Sequence, residues 1–166
     1  PSMGPCPDKA LPNVLIPEEE TPREQFAVAY QQFRDANGIL NRDVRNEELE
    51  KAIIAFKEVE NRFPDDRRYS AGATYLIGET YMDMEQYELA VCWFEHVLKN
   101  YPEDEGARVD ALLQAGIALD ELGEPQKAQE YYRALIDEFE DRSDPMIREK
   151  VDEARRRFRR IRLLDD

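Results

Sequence analysis

The sequence predicts an all-α fold: three helical hairpins stacked in a right-handed superhelix, with a C-terminal capping helix. Two observations carry that prediction. Apolar residues recur at the i, i+3, i+4, i+7 spacing of a single helix face, and the stripes superimpose when 38 is added to the residue number, the mark of a repeated helical unit. A third observation is negative, since no stretch alternates apolar and polar residues as a half-buried strand would.

Residues 1–21 read as a Pro-rich extended leader. Six of the ten prolines fall at positions 1, 5, 7, 12, 17 and 22, and proline removes a donor and disfavours helix in the residue before it. Val14, Leu15 and Ile16 form one apolar island in it. Two readings stay open, docking of that island on the body or a partner, and a flexible tail, which general experience with such segments favours. A chain that starts at Pro1 rather than Met reads as a processed product, leaving room for a targeting segment before it.

The first helix is announced by Thr21-Pro22-Arg23-Glu24, a capping-box arrangement with Thr at N-cap, Pro at N1 and Glu at N3. Phe26, Ala29, Tyr30 and Phe33 form its stripe and Gly38 offers a stop. Residues near 38–47 read as an insertion of about ten residues, longer than usual between paired helices and therefore a candidate functional loop. The stripe returns as Leu49, Ala52, Ile53, Phe56, Phe63, then as Tyr87, Ala90, Val91, Phe94, Val97, Tyr101, then as Ala128, Tyr132, Leu135, Phe139. Ala52, Ala90 and Ala128 coincide under the 38-residue shift, as do Phe56, Phe94 and Tyr132, and Gly78 and Gly116. A small residue beside an aromatic lets two helix backbones approach and fills the gap between them. Helices are expected near 22–37, 47–63, 67–83, 86–100, 105–122, 125–140 and 145–162. The hairpins thus occupy 22–142 and the capping segment 143–166.

That last helix begins at Asp144-Pro145 and places Ile147, Val151, Ala154, Phe158 and Ile161 on one side. Arg155, Arg156, Arg157, Arg159, Arg160 and Arg162 crowd the rest, so residues 145–162 carry about +5 against −17 for residues 1–144. The helix reads as a solvating cap over the last hairpin. The sharper alternative is a self-assembly module, in which this basic helix engages the acidic repeats of another copy as a homo-oligomer.

A net charge of −14 repels phosphate backbones and anionic lipid, so nucleic acid is not an expected partner and membrane association is at most indirect. Cys6 and Cys92 show no paired spacing and are expected to be free thiols. His96 lies four residues after Cys92 on one helical face, but two ligands are too few for a metal site. No nucleophile elbow, phosphate loop or Cys-His-acid constellation is present, so neither catalytic residues nor cofactors are assigned and the protein reads as a non-enzyme.

Ile77-Gly78, Tyr81, Ala90, Phe94, Val97 and Pro102 resemble the tetratricopeptide repeat, as do Leu112, Ala115-Gly116, Leu119, Ala128, Tyr132 and Leu135. Thr74 stands in place of the usual Trp, Glu140 in place of the Pro, and Tyr30 in place of the first Gly. Phrases such as Lys99-Asn100-Tyr101-Pro102 are similar to a bacterial cell-envelope subgroup that serves the Tol-Pal system in division or outer-membrane barrel assembly. The resemblance implies a periplasmic or envelope protein that binds a peptide or partner protein on a concave surface lined by the first helix of each hairpin. It places Gln31 and Arg34, then Tyr75, Glu79, Met82 and Asp83, then Asp110, Leu113, Ile117 and Asp120 along that surface. The acidic bias of this set calls for a basic partner with one or two apolar anchors.

Overall fold

The computed structural model describes residues 6–7 and 10–164, and the stripes become seven helices: α1 (Pro22–Asn37), α2 (Arg42–Arg62), α3 (Arg67–Asp83), α4 (Tyr87–Asn100), α5 (Glu105–Glu121), α6 (Pro125–Phe139) and α7 (Pro145–Leu164). No strand occurs among the described residues. Pro1, Pro5 and the side chain of Arg162 lie outside them. Each helix packs on the next, and short connections make such neighbours antiparallel. The odd helices also touch one another in the series α1–α3–α5–α7, whereas the backbones of α2, α4 and α6 stay apart, so the odd helices form one continuous layer.

Caps explain most of the boundaries. Thr21 Oγ1 accepts from Glu24 N–H at 3.2 Å, and its hydroxyl donates to the Glu24 carboxylate at 2.8 Å, closing the expected cap. Asp66 and Asp104 accept from Tyr69 and Ala107 N–H at 3.0 and 2.9 Å and start α3 and α5 in the same way. The expected insertion at 38–47 is overturned. Asn41 caps α2 by accepting from Val44 N–H at 3.0 Å, and the helix begins at Arg42. Its first two turns, Arg42 to Glu48, are polar except for exposed Val44 and carry no apolar stripe, so periodicity becomes visible only at Leu49.

The repeat register is physical. Ala52, Ala90 and Ala128 are fully buried, as are Phe56, Phe94, Tyr132, Val59, Val97 and Leu135. A Cβ added at Gly78 would sit 2.5 Å from Phe94 Cε1, and one added at Gly116 would sit 2.4 Å from Tyr132 Cε1. The glycines are therefore the sockets into which the aromatics of the following helix fit. One apolar cluster joins α1 to α5, a second joins α5 to α7, and Val91, Leu98 and Tyr131 pack against both, so the core runs the length of the stack.

The leader is not a loose tail between Ala10 and Glu20. Gln25, fully buried at the start of α1, donates through Nε2 to the Pro17 carbonyl and accepts from Glu19 N–H, both at 3.0 Å. Leu11 and Ile16 pack against the core, while Leu15 at the centre of the apolar island is 100% exposed. The expectation of free thiols is also overturned, because Cys6 and Cys92 form a disulfide across 86 residues of sequence with Cα atoms 5.6 Å apart. The reason lies in the docked leader, which carries Cys6 to α4, a proximity that sequence separation hides. Ordering backbone costs about 1–2 kcal/mol per residue. Burying Leu11 and Ile16 returns at most about 3 kcal/mol each, less than ordering the segment costs, so these two contacts do not by themselves account for the docked leader.

Candidate protein-binding site

The odd-helix layer carries all ten expected contact residues, but it treats them unequally. Gln31 and Arg34 are exposed on α1, with Gln31 donating to Asp35 Oδ1 of its own helix at 2.7 Å. Asp83, at the end of α3, is exposed and accepts from Asn37 Nδ2 of α1 at 2.9 Å. Met82 is half-buried against the core. Tyr75 is half-buried, its ring 5.7 Å from that of Phe94 and its hydroxyl near Glu79 and Gln114. Burial, reinforced by the Glu79 charge, holds that hydroxyl well above the usual phenol range.

Glu79 is the unusual group. Its Oε1 is buried and has no hydrogen-bond partner. Burial pushes its carboxyl up to about 7 and the Asp83 charge adds to the rise, against the opposing effects of the Tyr75 hydroxyl and the Lys150 charge. Asp83, exposed overall, is likewise raised by partial desolvation of its carboxyl, opposed by Asn37 and Arg45. No ion pair to either carboxylate accompanies them among the described residues.

The acids of α5 differ. Asp110 is paired with Lys150 of α7. Asp120 accepts from Arg160 Nη2 at 2.8 Å and from the Tyr132 hydroxyl at 3.3 Å. Ile117 is half-buried, and Leu113 is buried in the same apolar cluster as Val151 and Ala154 of α7. Leu113 therefore packs the stack instead of presenting a contact surface. The cause is α7, which lies beside α5 as a fourth member of the odd layer and covers that flank.

Asn37, Gln114 and Lys150 were not foreseen as members of this surface. The missed cue is the period itself, because adding 38 to the residues of α5 lands on α7 and identifies it as a further first helix. Much of α7's basic charge is met within the chain, with Arg155 paired to Glu140 and Asp152, Arg156 and Arg157 to Glu153, and Arg160 to Asp120. Cys92 is committed to its disulfide and has no free thiolate to join His96, which lies 5.5 Å from the Trp93 ring with its pKa lowered by burial.

A raised carboxyl makes stability depend on pH in a definite direction. The folded state holds the Glu79 proton that the unfolded chain releases near 4.5, so stability is fullest below that value and falls as pH rises toward about 7. We expect Glu79→Gln to remove this slope and to stabilise the protein at pH 8 by up to about 3 kcal/mol. Urea unfolding of both proteins from pH 5 to 8 measures it, and parallel curves would show that Glu79 is ordinarily solvated.

Comparison with known proteins agrees with this geometry. Residues 71–104 and 110–141 each match a tetratricopeptide repeat family. Transcription factor tau subunit sfc4 of Schizosaccharomyces pombe is 29% identical over 119 residues, which is 72% of this chain and 11% of the length of that protein. The crystal structure of a TPR-like protein from Chlorobium tepidum TLS superimposes with a TM-score of 0.56 at 18% identity, covering 84% of this chain and 98% of that one. Neither relative bears on the envelope subgroup. Tetratricopeptide repeats at 71–104 and 110–141 thus lie at the centre of an all-α helical-repeat fold.

Proposed function

We propose that this protein is a non-catalytic interaction scaffold whose odd-helix layer forms a concave groove for a basic segment of a partner protein. Tetratricopeptide repeats generally mediate protein–protein interaction, which supports the class of function. The observation that carries the finer reading is the contrast among the carboxylates. Asp110 and Asp120 already hold cations from α7, whereas among the described residues Glu79 and Asp83 have no cation paired to them and Glu79 Oε1 has no hydrogen-bond partner. A lysine or arginine side chain would supply both the missing charge and the missing donor. Met82 and Ile117, half-buried nearby in the layer, offer apolar contact for a neighbouring anchor. The setting we propose is the bacterial cell envelope. The resemblance supports it, and so does the disulfide, because such bonds persist in oxidising compartments.

The test is calorimetric titration of a panel of Lys/Arg-rich peptides carrying one or two leucines. Asp83→Lys is expected to weaken binding tenfold or more, an effect of about 1.4 kcal/mol per decade. Glu130→Lys, the same charge change at an exposed position on α6, is expected to leave affinity within twofold. Affinity should also rise from pH 6 to 8, because a cation favours ionised Glu79. Equal loss in the two variants would reduce the effect to net charge and reject the groove.

A further inference from the structure

We infer that the Cys6–Cys92 disulfide is a redox latch that holds residues 10–16 as a strap across an apolar part of the helical array, and that a dithiol reductant releases the strap while the helices stay folded. The two ends of the strap are held by different means. At the near end, Gln25 holds the Pro17 carbonyl and the Glu19 N–H, and Arg62 supports the grip by donating to Gln25 Oε1 at 3.3 Å and approaching Glu18 at 3.6 Å. At the far end stands one covalent bond, to α4. Between them, residues 10–16 make no hydrogen bond among the described residues, and only Leu11 and Ile16 pack against the core. Leu15 points fully into solvent. Once the far end is cut, the remaining contacts do not repay the ordering of the segment.

The chemistry is thiol–disulfide exchange. A thiolate of the dithiol attacks one sulfur, the Cys6–Cys92 S–S bond breaks, and the second thiol of the reductant resolves the mixed disulfide. Two electrons and two protons pass to the protein, giving two cysteine thiols, and the reductant leaves as its own disulfide. Cys6 is itself buried, but half-buried Cys92 and exposed Pro7 beside Cys6 leave the bond an approach from the Cys92 side. Opening frees Leu11 and uncovers the apolar surface beneath it.

Limited proteolysis of the full chain with subtilisin tests this, with dithiothreitol as the dithiol and fragments identified by mass spectrometry. Cleavage within 10–16 is expected to rise at least tenfold on reduction, with helix content by circular dichroism unchanged and sites within the helices no faster. Cys6→Ser is expected to show the fast cleavage without reductant and no further change with it. Unchanged cleavage at 10–16 would show that contacts alone hold the strap. Cleavage rising equally within α1–α6 would show a bond that merely supports the whole fold. Either result overturns the latch.

Discussion

Gly78→Ala is expected to destabilise the protein by about 1–3 kcal/mol, opposite in sign to the usual gain from replacing a helical glycine. The new methyl would lie 2.5 Å from Phe94 Cε1, and the ring is fully buried between α3 and its neighbours with no free direction in which to retreat. Phe94→Ala alone is expected to cost about 3–5 kcal/mol through the cavity it leaves. The informative variant is the pair Gly78→Ala with Phe94→Leu, in which the smaller side chain makes room for the methyl. Its cost should fall short of the sum of Gly78→Ala and Phe94→Leu by about 0.5–3 kcal/mol, the coupling of residues in contact. Urea unfolding of the four proteins in the cycle measures it. Gly116 and Tyr132 stand in the same relation one repeat later, with 2.4 Å between the added Cβ and the ring, and should couple likewise. Additive costs would mean that the glycines are not sockets.

Cys92→Ser is the second large effect. In the chain-entropy account a cross-link spanning 86 residues stabilises by about 4.5 kcal/mol if the folded state is otherwise unchanged. Release of the strap gives the folded state freedom of its own, so the expected loss is smaller, about 2–4 kcal/mol. Urea unfolding of the wild type with dithiothreitol should reproduce the variant's curve, and the variant itself should not respond to reductant. A loss near zero would show that the bond closes little of the unfolded chain's freedom in solution. A loss reaching the full 4.5 kcal/mol would show that the strap stays docked without it.

The helices were legible because packing needs are local and periodic. Ala90, Phe94 and Val97 must face one neighbour, so their spacing declares the helix and its buried side together. The start of α2 was not legible, since Arg42 to Glu48 form helix on a cap and backbone hydrogen bonds, without an apolar stripe to reveal it. The Cys6–Cys92 bond was hidden for a different reason. It depends on where the leader lies, and the leader is steered by Gln25, a polar residue whose full burial no hydropathy pattern announces. At the candidate site the family register located the layer, but it could not tell Asp83, exposed and beside Asn37, from Asp110, already paired to Lys150. That distinction belongs to α7, whose approach to α5 also took Leu113 out of the surface.

The odd helices form one face, and the proposed basic partner sits at its middle. A Lys-rich peptide carrying a photoreactive group, cross-linked to the oxidised full chain and mapped by mass spectrometry, tests it most directly. The account predicts labels around Met82, Asp83 and Ile117, with Lys150 near the edge of the footprint. Labels confined to α2, α4 and α6, or spread evenly over the acidic surface, would contradict it.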